Sequence, residues 1–188
     1  MTNAHPLLLV AHPDNPPLPV ERVVAAVCPL AEGGVRLRYR LACPADALRS
    51  VTPAPPGFAD DLWRHTCFEA FFASTGGVAY REFNFSADGR WAGYCFDAWR
   101  ERRADLRAQP PPRVAVAWRR QGLEVDAELS AALLDDTDCF DLGLSAVIEG
   151  RDGALGYWAL RHGPGAADFH RRDGFCYRLA RNRRGGPA

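Results

Sequence analysis

Lysine is absent from this sequence of 188 residues, and arginine supplies its basic side chains. The 23 basic and 23 acidic side chains cancel, so the formal net charge is zero. A neutral chain lacks the electrostatic attraction on which general nucleic-acid binders and membrane-surface proteins depend. We therefore expect neither a nucleic-acid partner nor a membrane partner, and we interpret the arginine bias as a consequence of coding composition.

Long apolar runs and paired cysteines are also missing. The apolar run nearest the N-terminus, Leu7 to Val10, is too short for a signal peptide, and no segment approaches the length of a membrane span. Six cysteines are spread along the chain without a CxxC pair. This usage favours buried thiols over a disulfide framework. The sequence therefore predicts a cytoplasmic protein with reduced cysteines.

What the sequence does contain is alternation of apolar and polar residues with a period of two. Residues 35–42, VRLRYRLA, predict a half-buried strand, and the β-branched run 20–27 before Gly33-Gly34 predicts its hairpin partner. Further strands are predicted at 62–73, 80–86, 90–96, 113–119, 123–129, 142–149, 155–161 and 174–179. This pattern indicates an all-β fold, an antiparallel β-sandwich of the jelly-roll or immunoglobulin-like kind with about ten to eleven strands.

Helix signals are weak by comparison. The best segment is 97–108, which is rich in arginine and ends before three prolines, and we expect one short helix or an irregular arm there. Residues 1–180 are predicted to form a single domain, and the basic, glycine-rich tail 181–188 is predicted to be disordered.

Two hairpins are predicted between residues 60 and 97. Pairing around Gly76-Gly77 places Glu69 near Asn84 and Phe71 near Glu82. Asp88-Gly89 is typical of a two-residue type I′ turn, which would place Ser86 near Trp91, Asn84 near Gly93 and Glu82 near Cys95.

Side-chain parity through these three strands gives two faces. The predicted core face consists of Phe68, Ala70, Phe72, Phe83, Phe85, Ala92, Tyr94 and Phe96. The other face mixes rings with hydrogen-bonding groups, and its candidate ligand-binding residues are Trp63, His65, Glu69, Glu82, Asn84 and Trp91. Aromatic faces stack on the C–H surfaces of sugars, while carboxylate, amide and imidazole groups reach the hydroxyls. A solvated sheet face, or one covered by a loop, is the structural alternative.

Three motifs resemble those of bacterial DOMON-like domain proteins, which are similar in fold to family-nine carbohydrate-binding modules. They are LWRHTCFEAFF (62–72), REFNFSADGRWAGYCFD with AWR (81–100), and ADFHRRDGFCYRL (167–179). The resemblance extends from about Leu7 to Leu179. It implies a β-sandwich with sugar or haem as ligand, and relatives that bind sugar hold it between two aromatic rings. Trp63 and Trp91 are the natural candidates for such rings.

Haem and metal sites have little support in the sequence. Haem ligation by methionine and histidine fails because Met1 is the only methionine, so His65 and His170 would be the best pair. Asp168 lies two residues before His170 and could orient a base, bind a metal or fix the loop, of which we expect the last. No HxxxH or CxxC spacing supplies further metal ligands. We therefore predict neither a metal nor a cofactor, with haem and calcium as alternatives.

Three functions remain open. The leading hypothesis is a non-catalytic domain that binds a small-molecule ligand, a saccharide or sugar-bearing metabolite, with no catalytic residue. An enzyme is the main rival, because Glu69 and Glu82 are close to diagonal on neighbouring strands, and carboxyls about 5–5.5 Å apart suit a retaining glycosidase. A protein-interaction module that uses an exposed sheet edge is the third.

Overall fold

The computed structural model describes residues 5–44, 46–107 and 110–181. Within these ranges the chain forms twelve strands and three 3-10 helices of three residues each. None of these helices has the length and apolar character needed to cross a membrane. The strands are β1 Leu7–Ala11, β2 Arg22–Pro29, β3 Val35–Ala42, β4 Cys67–Ser74, β5 Tyr80–Ser86, β6 Trp91–Ala98, β7 Glu101–Asp105, β8 Arg113–Arg119, β9 Gly122–Leu129, β10 Cys139–Glu149, β11 Leu155–Ala159 and β12 Tyr177–Ala180.

The strands form two antiparallel layers. The first layer has the order β1-β2-β3-β9-β8, and the second has the order β7-β6-β5-β4-β10, with β11 and β12 both paired to β10. Strand β1 connects the layers, because Leu7 to Leu9 pair with β2 while Val10 and Ala11 pair with β11. The predicted sandwich is therefore confirmed.

The core lies between the layers and follows from the alternation of each strand. Tyr39 of β3 reaches across it, donating a hydrogen bond from its hydroxyl to the backbone oxygen of Glu69 at 2.7 Å. The Tyr39 ring also contacts that of Phe68, with 5.1 Å between ring centroids. Phe72, Phe83 and the rest of the inner face are fully buried around this contact.

Each predicted strand has a counterpart, but the strand predicted at 62–73 begins only at Cys67, because Leu62–Arg64 form a 3-10 helix that carries Trp63. Two strands were not predicted. Strand β1 is the short apolar run at Leu7, too short to be assigned from its pattern. The short helix or irregular arm expected at 97–108 is wrong, because the described residues 97–107 contain the edge strand β7. Arg100 adopts a positive φ of 57° in the turn before β7, which ends any helical continuation and folds the chain back onto β6.

The loop between β5 and β6 differs from the predicted type I′ turn by one residue. The backbone N–H of Ser86 bonds to the carbonyl of Arg90, so three residues, 87–89, form the loop. Gly89 has a φ of 95°, the conformation with which three-residue hairpin loops end. Trp91 consequently pairs with Phe85, not Ser86.

This extra residue inverts the predicted faces of β6. Trp91 and Gly93 lie on the core side with Phe83 and Phe85, whereas the predicted core residues Ala92, Tyr94 and Phe96 lie on the side of Glu82. The β4–β5 register is as predicted, with Glu69 opposite Asn84 and Phe71 opposite Glu82.

All six cysteines lie in the described ranges and are free. Cys43, Cys67 and Cys95 are buried, two others are half-buried and Cys176 is exposed. Burial raises the pKa of the Cys67 thiol well above its usual value. We expect Cys176 to react with a thiol reagent in the folded protein and all six cysteines to react after denaturation. Fewer than six reactive thiols in freshly isolated, denatured protein would contradict reduced cysteines.

The end of the described chain is attached to the first layer. The Arg181 guanidinium donates hydrogen bonds to the backbone oxygens of Gly33, Ala131 and Asp135. The remainder of the predicted disordered tail, residues 182–188, lies outside the described residues.

Candidate functional site

The outer face of the second layer is apolar at one end and polar in the middle. Strands β4, β5 and β6 place their outward side chains on it at alternate positions. These side chains are Cys67, Glu69, Phe71, Ala73, Tyr80, Glu82, Asn84, Ser86, Ala92, Tyr94 and Phe96. None of them is exposed, because the chain segments around Phe58 and Phe175 cover part of this face.

Where the cover is incomplete, a cleft of about 460 Å³ opens onto the outer face. Its base is formed by the β4 and β5 carboxyl groups, and its walls come from β6, the β6–β7 turn, β11 and the loop before β12. The lining residues are Trp63, Glu69, Glu82, Tyr94, Phe96, Arg100, Arg102, Val147, Tyr157, Ala166, Ala167, Phe169 and His170.

Two buried carboxyl groups form the polar base of this cleft. Glu69 is 3% exposed, and one of its oxygens accepts a hydrogen bond from the Ser145 hydroxyl at 3.3 Å. Glu82 is 5% exposed, and its Oε1 accepts a hydrogen bond from the Asn84 amide at 2.6 Å. Asn84 is itself fully buried, and its side-chain carbonyl oxygen accepts a hydrogen bond from the Cys67 thiol. This contact orients the Asn84 amide group that donates to Glu82.

Burial favours the neutral form of both carboxyls. It raises the pKa of Glu82 to about 7, against the opposing effect of the Asn84 hydrogen bond. The pKa of Glu69 is raised well above its usual value by burial and by the neighbouring negative charge of Glu82. A protonated carboxyl both donates and accepts hydrogen bonds. Near neutral pH the base of the cleft therefore offers donors as well as acceptors.

An imidazole completes the polar base. The Tyr80 hydroxyl accepts a hydrogen bond from the backbone N–H of Arg100 and is hydrogen-bonded to Nδ1 of His170 at 2.7 Å. Burial lowers the pKa of His170 to about 4, and the charge of Arg100 adds to this effect. The ring is therefore neutral at pH 7, and its Nε2 lies 3.8 Å from Glu82 Oε2.

The loop that carries His170 is fixed by Asp168, as expected from the sequence. Its carboxylate accepts hydrogen bonds from the Trp99 indole at 3.0 Å and the Arg100 guanidinium at 2.8 Å. Both donors lie in the β6–β7 turn. Asp168 thus attaches one wall of the cleft to the other.

The aromatic side chains of the cleft differ in how much ring surface they offer a ligand. Arg102 lies over the Tyr94 ring, 3.8 Å from its centroid, and Phe96 stacks on Tyr80 with centroids 4.7 Å apart. Trp63 is 46% exposed at the mouth of the cleft, with the Arg64 guanidinium over one face of its ring at 5.0 Å from the centroid. Tyr157 and Phe169 are half-buried and meet edge to face with centroids 6.1 Å apart. Trp63, Tyr157 and Phe169 therefore present the accessible ring surface.

Of the six candidate ligand-binding residues, three line the cleft: Trp63, Glu69 and Glu82. Asn84 lies beneath Glu82. His65 does not line the cleft; its Nδ1 lies 2.8 Å from Glu149, a carboxylate that also binds Arg49.

The placement of Trp91 in the site is wrong. It is 5% exposed, belongs to the core and packs edge to face against Phe58. Trp91 therefore cannot be the second ring opposite Trp63. Trp158 is buried, whereas Trp99 and Trp118 are exposed.

His65 and His170, the pair considered for haem, belong to separate hydrogen-bond networks, one at Glu149 and one at Tyr80. Over the described ranges, no three His, Cys, Asp or Glu side chains are grouped to hold a metal ion.

Several lining residues were missed from the sequence. The sequence predicts Tyr94 and Phe96 in the core because a two-residue loop is expected at Asp88-Gly89, whereas the loop in the structure has three residues. Tyr157 and Phe169 lie 12 residues apart and more than 50 residues after β6, so no local pattern connects them with it. The motif 167–179 is the sequence signal for this wall of the cleft. It contains Asp168 and His170 but does not indicate which part of the sandwich they contact.

No protein-family model matches the chain, and no curated protein matches it significantly. Solved structures are similar in fold. A candidate carbohydrate-binding protein from Bacteroides uniformis is 18% identical, with a TM-score of 0.70 over 94% of this chain and 86% of that chain. A family-nine carbohydrate-binding module from Caldicellulosiruptor kristjanssonii in complex with cellotriose is 7% identical, with a TM-score of 0.59 over 97% and 85% of the two chains.

A structure of a family-nine module from the same organism in complex with glucose is also similar. It is 7% identical, with a TM-score of 0.53 over 96% of this chain and 87% of that chain. At such identities the likeness concerns the fold. This chain has the β-sandwich fold of family-nine carbohydrate-binding modules.

Proposed function

We propose that the cleft on the outer face of the second layer binds a saccharide, and that the protein is a non-catalytic ligand-binding domain. The observation that carries this proposal is the combination in one cleft of accessible rings and buried hydrogen-bonding groups. Trp63, Tyr157 and Phe169 offer apolar surface, while Glu69, Glu82 and His170 offer donors and acceptors. A sugar ring needs both, because its C–H faces are apolar and its edge carries hydroxyls.

The size of the cleft and the similar structures support the same conclusion. A volume of about 460 Å³ lies within the usual range of small-molecule sites and has room for a sugar unit. The two similar structures of family-nine modules are complexes with cellotriose and with glucose. The three sequence motifs further support a place among the DOMON-like relatives of these modules.

Calorimetric titration with cellotriose and glucose tests the proposal. In Trp63→Ala we expect affinity to fall by about 1–3 kcal/mol, by analogy with bases stacked on aromatic side chains. Trp118→Ala is the matched control, since Trp118 is similarly exposed, at 39%, but lies on β8 of the other layer. Equal loss in both variants, or no loss in Trp63→Ala, would contradict binding in this cleft.

The raised carboxyl pKa values favour one alternative, a glycoside-processing enzyme. A retaining mechanism needs an ionised nucleophile beside a protonated acid. With the pKa of Glu82 near 7 and that of Glu69 higher, this combination becomes populated as pH rises through 7. A non-catalytic binding domain should nevertheless hydrolyse no aryl glycoside between pH 5 and 9. Turnover that rises above pH 7 and disappears in Glu82→Gln would establish the enzyme instead.

A further inference from the structure

The two carboxyls at the base of the cleft have no cationic partner among the described residues. Within the described ranges neither Glu69 nor Glu82 forms an ion pair with an arginine, and Nε2 of the neutral His170 ring lies 3.8 Å from Glu82 Oε2. One oxygen of Glu69 has no hydrogen-bond donor within the described chain, although the side chain is 3% exposed and lines the cleft. Buried carboxyls in proteins are normally paired. These two are left available to a ligand.

The arginines that line the cleft are already paired with aspartates. Arg100 binds Asp168 at 2.8 Å, and Arg102 binds Asp60 at 3.1 Å as well as Asp105, which also binds Arg107. These three guanidinium groups and three carboxylates cancel, although the charges of Arg100 and Arg102 still favour the ionised form of Glu82. Ionisation of Glu69 and Glu82 would leave two negative charges in excess, and in that state the cleft attracts a cation.

The walls of the cleft suit a cation that is carried on an apolar frame. Aromatic faces attract ammonium groups and the C–H groups next to them. Trp63, Tyr157 and Phe169 supply such faces above the carboxyl base. A ligand ammonium placed at the base would give the unpaired oxygen of Glu69 a donor and would offset the repulsion between the two glutamates.

From this arrangement we propose that the cleft selects an amino sugar, with the protonated amine between the carboxyl groups of Glu69 and Glu82. This inference rests on the proposed saccharide function and deepens it. Both glutamates bind the ammonium as carboxylates, so binding displaces their protons to solvent. The charged and titratable groups facing them are Cys67, Tyr80, Tyr94, Arg100, Arg102, Asp168 and His170, with Tyr39 on the core side of Glu69.

Three trisaccharides with the same β-1,4 linkage separate charge from shape. They are cellotriose, its 2-amino analogue and its 2-N-acetylamino analogue, titrated by calorimetry at about pH 5.5, roughly two units below the pKa of an α-amino group, which like the sugar amine lies beside electron-withdrawing substituents. We expect the amino trisaccharide to bind at least tenfold more tightly than cellotriose, and the neutral N-acetyl compound to gain nothing. Titration in buffers of different ionisation enthalpy should show proton release with the amino compound and none with cellotriose.

Substitution of a buried carboxyl assigns the preference to the cleft. Glu69→Gln keeps the shape and removes the charge, so the affinity ratio of the amino compound to cellotriose should fall towards one. Glu149→Gln removes a carboxylate of similar burial that lies outside the cleft, and it should keep the wild-type ratio. Melting curves of both variants identify any loss of fold.

The outcomes distinguish this inference from the proposed function. Cellotriose binding that depends on Trp63, without any preference for the amine, would overturn the amino-sugar inference and leave saccharide binding intact. Binding of none of the three sugars would overturn both. A preference for the amine that persists in Glu69→Gln would also overturn the inference, because the charge would then be recognised elsewhere.

Discussion

Trp91→Ala is expected to lower the free energy of unfolding by about 3–5 kcal/mol, the range typical of a buried tryptophan truncated to alanine. Trp91 is 5% exposed, and its ring packs against Phe58 at a centroid distance of 5.5 Å. Its backbone N–H donates a hydrogen bond to the carbonyl of Gly57, and its carbonyl accepts one from the N–H of Ala59. These two bonds attach the covering segment around Phe58 to β6. Urea denaturation with wild-type protein as reference measures this effect.

Trp118→Ala makes the same chemical change on an exposed edge strand. We expect it to alter stability by much less, within about 1 kcal/mol. If Trp91→Ala unfolds like the wild type and loses ligand affinity instead, Trp91 belongs to the cleft. The two-residue turn predicted from Asp88-Gly89 would then describe the protein better than the three-residue loop.

Stability should also fall as pH rises through the range in which Glu82 ionises. Its pKa is 4.5 without perturbation and about 7 in the folded protein, so the folded state retains a proton that the unfolded state releases. The stabilisation from this group is complete below pH 4.5 and is lost as pH rises through 7. The corresponding loss is on the order of 3 kcal/mol.

Glu82→Gln removes this dependence while retaining an oxygen that accepts the Asn84 hydrogen bond. In urea denaturation, we expect the variant to gain about 3 kcal/mol over wild type between pH 4.5 and pH 8.5. Glu101→Gln, at an exposed position on β7, should show no such gain. A gap between Glu82→Gln and wild type that is the same at both pH values would contradict burial as the cause of the raised pKa.

Local sequence patterns were sufficient for most of the fold and for the base of the site. The turn at Gly76-Gly77 placed Glu69 opposite Asn84 and Phe71 opposite Glu82, and strand parity put all four on one face. Parity also makes such predictions fragile, since one additional loop residue inverts all that follows it. Gly89 is compatible with a two-residue or a three-residue loop. The two-residue loop predicts Trp91 on the outer face and Tyr94 in the core, whereas the three-residue loop of the structure places them the other way round.

The walls of the cleft required long-range information. His170 and Phe169 reach the site only because Asp168 attaches their loop to Trp99 and Arg100, about 70 residues earlier in the chain. The charged residues of β7 resemble a helical pattern. They form a strand because their backbone pairs with β6, which the local sequence does not indicate. The raised pKa values of the two glutamates arise from the cover over the outer face, which no pattern within β4 or β5 encodes.

The central claim, that a saccharide binds in this cleft, is tested most directly by the five tryptophan indole N–H signals in a heteronuclear NMR titration with cellotriose. Trp63 lies in the cleft, Trp91 and Trp158 are buried in the core, and Trp118 lies on the opposite layer. We expect a saturable shift of the Trp63 signal, with the Trp118 signal unchanged. A saturable shift of Trp118 with Trp63 unchanged, or no saturable shift of any of the five, would contradict the account.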